Sequence, residues 1–123
     1  MITPQGLFNL LSDETRLRCL FLLHKEKELC VCELGQVIGS VQPKISRHLA
    51  LLRQSGLVSD ERRGQWVYYR FNEALEPWIQ KIIVTTFINL ECFEPFRSDI
   101  KKLHEFQNRN PCIKQSVHEF DPT

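Results

Sequence analysis

Apolar and polar positions change period along the chain, and each change marks an element. Residues 4–11 (Pro-Gln-Gly-Leu-Phe-Asn-Leu-Leu) predict a short helix opened by Thr3 and Pro4. Ser12 or Asp13 caps a second helix, because Asp-Glu at its start suits the positive end of the helix dipole. Leu10, Leu17, Leu20 and Phe21 fall at helical spacing, and the helix fades in the charged stretch 25–28. A short helix is expected over residues 31–38, with a turn at Gly39-Ser40. A longer helix follows over residues 42–54. Pro43 fits its first turn, Ile45, Leu49 and Leu52 form its apolar stripe, and Gly56 closes it.

From residue 57 the period drops to two. Val58, Val67, Tyr69 and Phe71 alternate with polar residues, and Arg63-Gly64 marks a tight turn, so strands are expected over 57–62 and 66–71. Helical spacing returns from Glu73 or Ala74, with Pro77 in the first turn. Trp78, Ile79, Ile82, Ile83, Thr86, Phe87, Leu90 and Phe93 make an apolar face broader than one short helix needs. Pro95 is expected to kink or break this helix, and a second piece runs to about Gln107. The expected organisation is one domain over residues 1–107 and a flexible tail over 108–123. The fold class is mainly α with a β-hairpin: a winged helix-turn-helix.

Charge sharpens the picture. The chain totals +1, but residues 42–70 hold six basic residues (Lys44, Arg47, Arg53, Arg62, Arg63, Arg70) against Asp60 and Glu61. A basic segment on a mildly acidic body suits double-stranded DNA. The second helix of the turn motif would enter the major groove. Gln42, Lys44, Ser46 and Arg47 lie near its N-terminal end, where Arg47 suits guanine and Gln42 suits adenine. His48, near the apolar stripe, is expected to pack or to meet phosphate, and Arg53 adds to the basic set. Arg62, Arg63 and Gln65 would set the hairpin on the backbone or in the minor groove. A solvated helix and a charged hairpin are the plain alternative.

Candidate chemistry is concentrated in residues 28–35, Glu-Leu-Cys-Val-Cys-Glu-Leu-Gly. Two thiols two residues apart suit a soft ion. In a regular helix such residues point about 200° apart. Cys30 and Cys32 would then share an ion only if the local backbone departs from helix, which is a physical basis for a switch. Structural zinc is less suited, since no second ligand pair is evident and His24, His104 and His118, expected at the surface, complete no ligand spacing. Cys19 is expected to serve as a small buried hydrophobe. Five cysteines with no framework spacing point to a reducing compartment. No apolar run reaches ~18 residues and no leader pattern opens the chain, so a cytoplasmic location without membrane contact is expected. A thiol oxidoreductase lacks support from any βαβ pattern or Cys-x-x-Cys motif, so no enzyme and no organic cofactor are expected.

Glu-Leu-Cys-Val-Cys-Glu-Leu, then Gln-Pro-Lys-Ile-Ser-Arg-His-Leu-Ala-Leu-Leu-Arg and Gly-Gln-Trp-Val-Tyr-Tyr-Arg, resemble the arsenic-responsive repressors of the ArsR/SmtB family over roughly residues 5 to 90. The resemblance implies a homodimeric winged-helix repressor that leaves operator DNA when trivalent arsenic or antimony binds cysteine thiolates. It maps the first two thiol ligands onto Cys30 and Cys32. The family's usual third cysteine falls at Gly35. A third sulfur would then come from Cys112, or less readily from Cys92 or Cys19. Otherwise a two-thiol site would suit methylated trivalent arsenic, which offers two exchangeable positions. The histidine-carboxylate zinc site of some relatives has no matching spacing on the last helix. Leu7, Phe8 and Leu11, with Trp78, Ile79, Ile82, Ile83 and Phe87, are expected at the dimer interface. An oxidant- or persulfide-sensing repressor using the same thiols is the alternative signal.

Overall fold

The computed structural model describes residues 1–109. Thr3 accepts a hydrogen bond from Gly6 N–H and opens α1 (Pro4–Leu11). Of the two expected caps for α2 (Glu14–Glu26), Asp13 is the one used, accepting from Arg16 N–H at 3.0 Å. The chain then forms a short strand, β1 (Leu29–Cys30), and turns directly into α3 (Val31–Ile38). Gly39, at φ +78°, closes α3 in the left-handed region, and α4 (Gln42–Ser55) follows after a two-residue link. Ile45, Leu49 and Leu52 are fully buried along α4, so the stripe read from the sequence is the face that meets the core.

β2 (Val58–Arg63) and β3 (Trp66–Phe71) pair antiparallel with Arg63 opposite Trp66, and Gly64 turns between them at φ +61°. β1 adds to the other edge of β3, giving the sheet order β1-β3-β2. This third strand was not legible in the sequence, because two residues carry no detectable period. It ties the cysteine box to the wing: Leu29 pairs with Tyr69 and Cys30 with Tyr68.

The last third departs from expectation. α5 begins at Pro77, not at Glu73 or Ala74. Asn72 accepts from Ala74 N–H at 2.9 Å and donates to Gly56 O at 3.0 Å, so residues 72–74 form a side-chain-closed turn in place of helix. The helix ends at Phe87, well before Pro95. A 3₁₀ turn (Leu90–Cys92) then redirects the chain into α6 (Phe96–Arg109). Tertiary contacts explain the return. Phe96 packs on Phe21 at 5.4 Å between ring centres, and Arg18 donates two hydrogen bonds of 2.8 Å to Asp99. Asp99 is wholly buried, and removing one partner of such a pair costs about 3–5 kcal/mol. α6 thereby lies against α2 and α3, and Leu103 joins the core. Among the described residues, no helix is long and apolar enough to cross a membrane. The tail expected over 108–123 lies, from residue 110 onward, outside the described residues.

Candidate functional site

Cys30 and Cys32 lie with their Sγ atoms 2.8 Å apart. The backbone does leave the helix between the two sulfurs, as their spacing required, and it does so without a ligand. Cys30 is the residue before the helix, with extended φ −88° and ψ 161°, while Cys32 sits in the first turn of an intact α3. The helical angle applies only between two helical residues, and one extended residue is enough to bring the sulfurs together.

The same position gives Cys30 a second task. Its side chain accepts from the backbone of Glu33, and the Glu33 carboxylate accepts from Cys30 N–H at 3.1 Å: a reciprocal capping box with sulfur in the usual hydroxyl role. Glu33 is only 1% exposed, and its other oxygen accepts from Gln107 Nε2 at 2.8 Å. The sequence reading did not find this capping role for Glu33, nor Gln107. The spacing of three from Cys30 to Glu33 was a usable signal; nothing local pointed to Gln107 on α6.

The two thiols are electrostatically unequal. The hydrogen bond to Cys32 pushes the Cys30 thiol far up, assisted by burial and by the Glu33 carboxylate. The same hydrogen bond pulls Cys32 below the ordinary thiol range, against burial. Of the two, Cys32 is the sulfur whose shift favours the thiolate. Cys19 differs in kind: fully buried, its thiol is pushed up to about 12 by desolvation. Cys92 is exposed on the 3₁₀ turn. Cys112 and His118 lie outside the described residues. His24 stacks edge-on to Phe87 at 5.6 Å and is held below its ordinary pKa by burial and Lys25, so it is not the surface residue expected. His104, exposed, faces Glu26 at 3.3 Å.

The thiol pair opens on a cavity of about 310 Å³. Val31 continues its wall on α3, Gln42 and Ser46 come from the first turns of α4, and Gln65, Trp66, Val67 and Tyr69 come from the wing. The cysteine box, the second helix of the turn motif and the hairpin thus share one half-open cleft. From the sequence Trp66 and Val67 were legible as strand residues but not as part of the site.

Of the expected DNA-contacting residues, Gln42, Lys44, Arg47, Arg53, Arg62 and Gln65 are exposed, and Ser46 is half-buried. Lys44, Arg47 and half-buried His48 border a shallow depression with Arg16 of α2, a cation the sequence reading overlooked. Arg16 Nη1 is 3.4 Å from His48 Nδ1. Burial lowers the His48 pKa, and Asp13, 3.8 Å away, partly opposes that shift. Arg53 pairs with Asp60 at 3.1 Å. Arg63 departs most from the expectation of a backbone contact. It donates to Glu28 at 2.6 and 2.9 Å and to Glu61 at 2.8 Å, and it covers the Tyr68 ring at 4.7 Å. It braces the hairpin against the end of α2, whereas Arg62 faces solvent.

The residues expected at a dimer interface divide. Leu7, Ile79, Ile83 and Phe87 are buried within the chain's own core. Leu11, Trp78 and Ile82 are partly buried, and Phe8 is 57% exposed. Val84 on α5 and Ile88, which caps its end, are also exposed.

Residues 13–60 match the family described as bacterial regulatory protein, arsR family. The chain is 52% identical over 86 residues to the arsenic resistance transcriptional regulator ArsR2 of Pseudomonas putida, covering 70% of this chain and 75% of that one. It is 51% identical over 82 residues to the arsenical resistance operon repressor of Escherichia coli, covering 67% and 70% respectively. Among solved structures, HlyU from Vibrio cholerae aligns with a TM-score of 0.60 and 31% identity over 71% of this chain and 89% of that one. The AntR antimony-specific transcriptional repressor aligns with a TM-score of 0.58 and 26% identity over 74% of this chain and 85% of that one.

Proposed function

The chain belongs to the arsR family of bacterial regulatory proteins, and we propose that it represses transcription as an operator-bound homodimer released by trivalent arsenic or antimony on Cys30 and Cys32. It is an ArsR-type winged-helix transcriptional regulator and not an enzyme. The observation that carries the inducer reading is the 2.8 Å thiol pair seated between the wing and the start of α4. Two sulfurs this close form a soft chelate that needs only a small spreading of the pair to take its ion.

The route to release follows from the cap. The Cys30 sulfur that binds the ion is the sulfur that caps α3. Engaging it weakens the cap, an effect of about 1 kcal/mol by itself. The change is placed at the first turn of the helix-turn-helix. The inducer shifts the population only by binding the free form more tightly than the DNA-bound form. A coupling of about 1–3 kcal/mol changes operator occupancy strongly. The third coordination position falls to Cys112, to an oxygen or to an organic group. Cys92 and the deeply buried Cys19 are the weaker sulfur candidates. In the dimer, Phe8, Leu11, Trp78 and Ile82 meet the partner, and Val84 and Ile88 extend that face.

A second reading keeps the repressor and makes the signal an oxidant or persulfide; a direct bond between residues two apart is strained, so this reading needs a partner such as Cys112. A reporter gene behind the cognate operator distinguishes the two. Arsenite or antimonite should raise expression with the parent protein and leave it repressed with Cys30→Ser. Induction by peroxide but not by metalloid would transfer the signal to redox chemistry.

A further inference from the structure

We infer that the cavity beside the thiols holds the organic substituent of a monosubstituted trivalent arsenical, so that compounds with an aryl-sized apolar group are the preferred inducers. The inference rests on the repressor reading and assigns the ligand class of its site. Cys30 and Cys32 supply the only sulfur among the described residues that line the cavity. An arsenical RAs(OH)2 reacts there with two thiols. Two As–S bonds form and two As–O bonds break, each hydroxide leaves as water with one thiol proton, and arsenic keeps its oxidation state. The As–C bond survives, and R must lie on the open side of the thiol pair.

That side has the size and character R requires. At about 310 Å³ the cavity is well above the ~150 Å³ that accommodates benzene. Val31, Trp66, Val67 and the largely buried Tyr69 give it apolar and aromatic walls. Its polar residues are Gln42, Ser46 and Gln65, which also belong to the proposed DNA face. An occupant therefore bears directly on the spacing between α4 and the wing. A hydroxide in the third position leaves most of this space unfilled, whereas a phenyl ring uses it.

The test compares arsenite with phenylarsenite as releasers of the full-length protein from its operator, by fluorescence anisotropy. A fixed concentration of a small dithiol serves as competitor and cancels the intrinsic difference in thiol affinity between the two arsenicals. Phenylarsenite should release at a concentration lower by about tenfold or more, the effect of burying a ring-sized apolar group. Val67→Trp, which fills the cavity, should collapse that ratio. Release by both compounds with no preference beyond that of the free dithiol would overturn the inference and leave the repressor reading standing. A preference that persists in Val67→Trp would also overturn it, and release by neither would remove both. Should Val67→Trp fail to bind DNA, tryptophan fluorescence of the free protein decides. Phenylarsenite should change it in the parent but not in Trp66→Phe, and a change that survives Trp66→Phe would refute the assignment.

Discussion

Gln107 donates to the same buried carboxylate, Glu33, that holds the backbone N–H of Cys30, so the last described helix reaches the thiol box through one side chain. Gln107→Ala strips a partner from an oxygen with little access to water. The expected cost is about 1–3 kcal/mol, read as a lower urea midpoint at an unchanged m value. Cys32 should also alkylate faster, because its hydrogen-bond partner Cys30 is less firmly held by Glu33. A variant with the parent's midpoint and reactivity would mean that α6 does not brace the box.

The proton asymmetry of the pair predicts a pH dependence. Cys32 is held below the ordinary thiol range by its hydrogen bond from Cys30. Its alkylation rate should therefore rise through a midpoint below that of a free cysteine. Cys30→Ala removes the donor, so the midpoint should move upward, and the Cys32 variant should leave a Cys30 that reacts only at higher pH. A Cys32 midpoint that does not move in Cys30→Ala would mean that the sulfurs do not share a proton in solution.

Arg62 and Arg63 are neighbours with different expected roles. Arg62→Ala should weaken operator binding across sequences and reduce the salt slope by about one, as loss of a phosphate contact does. Arg63→Ala should chiefly lower stability, since it leaves half-buried Glu28 without its bidentate partner. Binding measured against salt, together with urea unfolding of both variants, separates the two. Equal loss of salt slope in both would return Arg63 to the DNA face.

Gly35 offers a gain-of-function check. A Cβ there would meet Ser40 O at 3.8 Å and Ile45 Cγ1 at 4.0 Å, ordinary contacts, so Gly35→Cys should fold and gain about 0.3 kcal/mol of helix propensity. With the family's usual third sulfur restored, arsenite should release the protein from DNA at about tenfold lower concentration. The advantage of phenylarsenite, which has no third exchangeable position, should shrink. An arsenite response identical to the parent's would mean that position 35 does not reach the ion.

How far the sequence reaches depends on whether the cause is local. The caps at Thr3 and Asp13, the buried face of α4 and the left-handed closures at Gly39 and Gly56 are local, and each was legible. β1 was too short to show a period, and it decides that Cys30 lies outside the helix. The break after Phe87 is set by distant anchors, Phe96 on Phe21 and Asp99 on Arg18, which no window of sequence joins. The same distinction holds at the site. Cys30 and Cys32 were legible from their spacing, whereas Trp66, Val67 and Gln107 reach them only through strand pairing and the return of α6.

The most direct test of the central claim is fluorescence anisotropy of the reduced protein on an operator duplex selected from a random library, titrated with arsenite and antimonite. The parent should be released, whereas Cys30→Ser and Cys32→Ser should stay on the same duplex and bind it as the parent does. Release of either variant at the parent's metalloid concentration would contradict the assignment of the signal to this thiol pair.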